Sequence, residues 1–195
     1  MNQDSRRKLK QVYHLFNFIK PLLDDVKQHH PDIHLVDHGA GKSYLGFILY
    51  DLYFKHLHDT SHVYSIETRE DLVQRATELA QRAGFDHMSF LNLSVADSIT
   101  SPLLPERIDV VTALHACNTA TDDAIRFALN RKSRHIVLVP CCQAEVASVL
   151  RKHKAESLGA GALAELWRHP CTPVSSAVRS PMCCAVFNCR PTATR

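Results

Sequence analysis

Several things are scarce in this chain of 195 residues, and each scarcity closes a door. No apolar run approaches the roughly 20 residues that a membrane-crossing helix needs, and Met1 to Lys10 is too polar for a secretory leader, so the expected location is cytoplasmic. Glycine occurs only 6 times, and the composition, 45% hydrophobic and 22% charged, is ordinary for a globular protein. Cysteine is less scarce, at 7, but no C-x-x-C pair occurs. Cys141–Cys142 and Cys183–Cys184 are adjacent pairs that chelate one tetrahedral ion poorly, so reduced thiols and no metal site are expected. Excess charge is small as well: a net +3 with 13 histidines permits an RNA partner and demands none.

What is present is alternation. Leu9, Val12, Leu15, Phe16, Ile19, Leu22, Leu23 and Val26 follow a helical spacing between Asp4 and His30, with Pro21 expected to kink or split the element. Arg6, Arg7, Lys8 and Lys10 cluster at its start, as a phosphate-contacting patch or simply a solvated terminus. Strand-like "IHLVDHG" then precedes a helix over 42–58, "HVYSIET" a helix over 69–83 closed by Gly84, and "HMSFLNLS" follows as a third strand. "RIDVVTALHA" with a helix over 120–130, and "RHIVLVPCC" with a helix over 143–157, complete the series. Such alternation predicts an α/β fold, a doubly wound, Rossmann-like parallel sheet that binds its ligand at the carboxyl ends of the strands.

The stretch "LVDHGAGKSYL" carries the chemistry. Gly41, Lys42 and Ser43 match the end of a phosphate-binding P-loop, but its leading glycine would fall at Val36, inside a strand, where no loop can wrap a phosphate. The competing template is a strand–turn–helix nucleotide site written D-x-G-x-G, here Asp37, Gly39 and Gly41. Such a site wants a second carboxylate at the end of the next strand, able to accept bonds from two ribose hydroxyls, and Glu67 stands there. A nicotinamide site more often has a third glycine; that position is Tyr44, which favours S-adenosyl-L-methionine (SAM) over NAD.

With "TALHACNTATDDAI" after the fourth strand and "LVPCCQAEVA" after the fifth, the chain resembles a branch of the class I SAM-dependent methyltransferases. Its members carry a G-x-G-K-G-Y-L turn, an A-L-H-x-C-x-x-A-T-D segment and a P-C-C segment in this order. More distantly it is similar to tRNA ribose 2′-O-methyltransferases, whose zinc modules have no counterpart here. The resemblance spans roughly Lys8 to Pro170. It implies that Asp37, Gly39 and Gly41 line the methionine end of SAM, that Glu67 binds the ribose, that Ser94 to Asp97 lie near the adenine, and that His115 to Asp122 face the transferred methyl group.

The sulfonium is a potent donor, so in-line positioning supplies much of the rate, and a hydroxyl acceptor would add a need for a general base. His115 and Asp122 are the catalytic candidates. Their competing roles are plain ones: Asp122 closes a T-x-x-D capping pattern with Thr119, and His115 could be a satisfied strand-end histidine. Cys117, Cys141 and Cys142 read as small hydrophobes. Two positions depart from the family pattern. Asn118 stands where relatives carry an acid, and Ser43 replaces a glycine, a mild change if the serine caps the next helix.

The expected organisation is a helical segment over 1–30, a SAM-binding domain over 31–170, and a tail over 171–195 unlike the rest. "CTPVSSAVRSPMCCAVFNCRPTATR" has no sustained period. Codons able to encode it, read one nucleotide out of register, can spell L-H-T-R-E-F-G-S-Q-I-T-N-V-L-R-C-L-Q-L, which is similar to the way the family continues. A frameshifted tail would leave the sheet without its last two strands and with a bare edge. The expected function is methyl transfer from SAM to an acceptor, with RNA the preferred class and no membrane or metal partner. The alternative is an inactive scaffold that retains the fold.

Overall fold

The computed structural model describes residues 3–114, 119–139 and 185–188. Helix α1 (Gln3–His29) leads into strand β1 (His34–His38), helix α2 (Tyr44–Leu52) and a 3-10 turn at Phe54–His56. Then come β2 (His62–Glu67), α3 (Glu70–Ala83), β3 (Met88–Asn92) and α4 (Val95–Thr100), followed by β4 (Val110–Leu114), α5 (Thr119–Asn130), β5 (His135–Val139) and β6 (Ala185–Asn188). The sheet order is β3-β2-β1-β4-β5-β6; the first five strands run parallel and β6 pairs antiparallel with β5. Strand order reverses between β1 and β4, and that crevice is where such sheets take ligands.

Period-two burial divides the core. Leu35 joins Val63, Val110 and Val137 under α1 and α2, while Val36 joins Ile66, Val111, Ile136 and Leu138 under α5. The apolar stripe of α1 does what its spacing predicts: Leu15, Ile19, Leu23 and Val26 are fully buried. Pro21 does not split the element, which runs as one helix. Stripe residues on both sides of the proline pack on the same sheet face, and this packing outweighs one lost intrahelical bond.

Three further details differ from the sequence expectation. The second helix stops at Leu52 rather than reaching residue 58, and the next turn tightens to a 3-10 form. An additional short helix, α4, starts after Ser94, whose hydroxyl accepts the Asp97 amide at 3.2 Å. The tail contributes β6, so the edge expected to lie bare along β5 carries a partner; Ile136 pairs with Phe187 and Leu138 with Ala185. An unpaired parallel edge strand offers a row of free amides and carbonyls, and even four β-compatible residues suffice to cover it. The helix expected over 143–157 lies outside the described residues.

Candidate functional site

The turn after β1 needs unusual backbone, and the sequence supplies it twice. Gly39 and Gly41 both sit at positive φ, 67° and 57°, where a Cβ is disfavoured. A side chain built on Gly39 would meet no atom of the described residues within 4 Å. Two bonds fasten the turn to β2: the Ala40 amide donates to the Ile66 carbonyl at 3.0 Å, and the Gly41 amide donates to Glu67 Oε2 at 2.8 Å. The strand-end acid and the glycine turn are therefore one unit.

Ser43 occupies the N-cap position of α2 but makes no capping bond. Its backbone is left-handed, with φ 53° and ψ 32°, and its hydroxyl is buried against the Ser65 hydroxyl at 2.8 Å. A glycine at this position, as the resemblance implies, would suit the left-handed backbone, and the capping rationale for serine is corrected. Gly46, one helical turn on, is dictated by close approach. A Cβ there would lie 2.6 Å from Ser43 Oγ and 3.1 Å from Ser65 Oγ.

Asp37 is 1% exposed and accepts Thr112 Oγ1 at 2.8 Å, joining β1 to β4 at the reversal point. Burial pushes its carboxyl up to about 7, against the opposing pull of the Thr112 bond. Asp37 thus serves as a buried anchor beneath the turn. Glu67 is different: it accepts Thr68 N at 3.0 Å, Arg69 N at 3.1 Å and Arg69 Nε at 3.1 Å on Oε1, and Arg69 Nη2 at 3.3 Å on Oε2 beside Gly41. Burial works against its charge, but the bonds from Arg69 and Gly41 outweigh it and hold the carboxyl below its ordinary value.

Ser94 and Asp97 face each other in the α4 cap, with the Ser94 hydroxyl 2.5 Å from Asp97 Oδ2. Asn92, which the sequence reading passed over, draws that segment toward the turn by donating its amide to the Glu67 and Thr68 carbonyls at 3.2 and 2.9 Å. Asp37, Gly39, Gly41 and Glu67 therefore form one cluster, and Ser94 and Asp97 follow one strand further out. Asp122 is exposed in the first turn of α5. His115 and the rest of the segment up to Asn118 lie outside the described residues, as do Cys141 and Cys142.

His38 was also missed. It is buried next to Asp37, against Phe127 with ring centroids 5.6 Å apart, and its Nε2 has no hydrogen-bond partner among the described residues. Burial lowers its pKa, opposed by the carboxylates of Asp123 and Glu67. Only its alternation with Val36 along β1 could have shown it facing α5.

These residues fit a nucleoside-type cofactor: a glycine turn at positive φ, and beside it a carboxylate bonded to that turn, held below its ordinary value and paired with an exposed arginine. Among the described residues no group of three or more histidines, cysteines and carboxylates could hold a metal, and no helix is long and apolar enough to cross a membrane.

Comparison with known proteins agrees with the geometry. A family model described as a methyltransferase domain matches residues 7–149. No curated protein sequence matches the chain. Among solved structures the chain is similar to magnesium protoporphyrin IX methyltransferase (ChlM) from Synechocystis PCC 6803 with bound S-adenosylhomocysteine (SAH). The two share 18% identity at a TM-score of 0.56, over 82% of this chain and 69% of that one. It is also similar to WbdD, solved with a kinase inhibitor, at 14% identity and a TM-score of 0.50, over 68% of this chain and 30% of that one. By the span of the family match, the strand order and the glycine turn with its acid, the chain belongs to the methyltransferase-domain family, whose enzymes take SAM as methyl donor.

Proposed function

We propose that this chain transfers the methyl group of SAM to an acceptor presented over the carboxyl ends of β1 and β4, and that the acceptor is RNA. One observation carries the cofactor part: the Glu67 carboxylate bonded to the Gly41 amide at 2.8 Å, which fuses a ribose-type acid to a glycine turn. When bound, SAM supplies an electrophilic methyl on a sulfonium. The chain's own work is to hold and orient. Gly39 and Gly41 let the backbone approach the methionine end, Asp37 braces that turn from below through Thr112, and Glu67 receives a ribose hydroxyl. Ser94 and Asp97, drawn in by Asn92, border the adenine.

In-line positioning is the largest contribution such a site makes. His115 and Asp122 serve the acceptor, with Asp122 exposed at the start of α5, where it can take a proton from an incoming hydroxyl. RNA is favoured by the basic residues Arg6, Arg7, Lys8 and Lys10, by the net +3 charge, and by the distant resemblance to tRNA methyltransferases.

Calorimetric titration with SAH tests the cofactor part. Micromolar binding by the wild type, lost in Glu67→Ala, is the expected result; no binding by the folded wild type overturns it and leaves the scaffold reading. Transfer of labelled methyl from SAM to total RNA, with protein and small-molecule fractions as the other arms, then tests the acceptor.

A further inference from the structure

Glu67 is more heavily engaged than a ribose-binding carboxylate can afford to be. Six donors address its two oxygens: Thr68 N, Thr68 Oγ1, Arg69 N and Arg69 Nε on Oε1, with Gly41 N and Arg69 Nη2 on Oε2. A carboxylate has about four lone-pair sites, so no site is left for a ribose. Three of the donors are backbone amides of the turn and one is a neighbouring hydroxyl. The other two belong to one exposed side chain. The Arg69 side chain is 63% exposed while that of Glu67 is 9% exposed, so the arginine can leave and the acid cannot. Its reach extends to the glycine turn as well, since a Cβ on Gly41 would lie 3.7 Å from Arg69 Nη2.

The geometry points to Arg69 as the residue that sets cofactor affinity at this site, by holding the place of the ribose. Its guanidinium puts one N–H on each oxygen, Nε on Oε1 and Nη2 on Oε2, and the Nη2 prong takes the Oε2 site that a ribose hydroxyl would use. In the cofactor-free protein this pair keeps the edge of Glu67 satisfied and ionised. For a ribose to bind, Arg69 swings into solvent, and Oε2, left with the Gly41 amide alone, has a lone pair for one hydroxyl, while Oε1 keeps Thr68 N, Thr68 Oγ1 and the Arg69 amide. The apparent affinity is the intrinsic one reduced by the fraction of molecules whose acid is open. Arg69 acts through Glu67 and is a positioning residue, not a catalytic one. This inference rests on the cofactor site proposed above and adds to it a built-in competitor.

SAH titrations of the wild type and Arg69→Ala, at low and high salt, test it. An exposed ion pair is weak, so Arg69→Ala should bind SAH roughly two- to five-fold more tightly than the wild type. Raising salt should tighten the wild type toward the variant and leave the variant nearly unmoved, because screening loosens the closed pair. A 2′,3′-dideoxy analogue of SAH should show no gain from the substitution, since it does not ask Arg69 to move. Equal or weaker SAH binding by Arg69→Ala overturns the inference and makes the arginine a ligand contact or a bystander. An equal gain with the dideoxy analogue also overturns it, in favour of simple crowding. If neither wild type nor Arg69→Ala binds SAH, the cofactor reading itself has failed, which is distinct from either result.

Discussion

The two ends of the sheet are built on opposite plans. At the amino ends of the strands, charges are tied off against one another. Asp25 of α1 accepts Arg134 Nε at 2.6 Å and His135 Nε2 at 2.9 Å; Asp32 takes Thr60 Oγ1 at 2.7 Å and pairs with Arg107; Asp109 takes the His34 amide at 2.8 Å. These partners come from α1, the first residues of β1 and β5 and the loops that lead into the strands, so the network ties α1 to the amino ends of the strands. Bonds from Thr60 and Arg107 hold Asp32 down at about 2. At the carboxyl ends the polar groups are left movable or strained: a carboxylate under an exposed arginine, a serine in left-handed backbone, an aspartate buried with its pKa raised. One end is cross-linked by ion pairs, and the other gathers its polar groups around the glycine turn.

Substitutions should separate the two ends. The largest expected effect is on binding. Glu67→Ala removes the acceptor that ties the Gly41, Thr68 and Arg69 amides together and should lower SAH affinity about a hundredfold, with a melting midpoint lowered as well, by about 5 °C. Asp25→Ala should act on stability alone. It removes the acceptor that Arg134 and the buried His135 share, cutting stability by about 2–3 kcal/mol, or about 5–10 °C in melting midpoint, with SAH affinity unchanged.

Third is a pH effect at Asp37, whose carboxyl is raised from 3.8 to about 7. The folded state holds this proton more tightly than the unfolded chain does, so stability falls as pH rises from 3.8 through about 7. Asp37→Asn should therefore be more stable than wild type by about 1–2 kcal/mol at pH 8, and in paired melts the gap should narrow below about 7 and close only as pH falls to 3.8. His62, at the other end, works oppositely. Burial, with His87 and His34 nearby, lowers it from 6.5 to about 4, so its contribution is lost as pH falls through that window. The smallest effect is Ser43→Gly, which relieves the left-handed backbone and gives up the Ser65 bond. A net gain of about 0.5 kcal/mol is expected by thermal melt.

The parts legible in the sequence were those written in local pattern. Strand–helix alternation, the α1 stripe, and the pairing of D-x-G-x-G with an acid ending the next strand are all short-range signals, and the fold bears out the architecture they imply. The rest depends on partners distant along the chain. Nothing local says that Asn92 reaches back to Glu67, that Asp25 finds Arg134, or that Ser43 has to turn left-handed instead of capping a helix. Helix α4 has six residues and β6 four, too few to show a period. β6 also bears on the tail. We propose that residues 171–195 derive from a reading-frame shift, to be tested by sequencing the gene across the His169 codon; an intact frame with related tails elsewhere rules it out.

The seam between β1 and β4 carries one more consequence, in the order of folding. Other neighbouring parallel strands join residues 25 to 28 apart, as with Glu67 and Asn92 or Ile33 and Ser61. Across this seam the separation is 75, as in the Thr112–Asp37 and His34–Asp109 bonds. Closing the longer loop is entropically dearer, so it is expected to wait on the strand–helix–strand units that flank it. The crevice that receives the cofactor is therefore the last junction of the parallel sheet to zip. A half-folded chain has no crevice to bind with, and cofactor capture reports on completed folding of both halves at once.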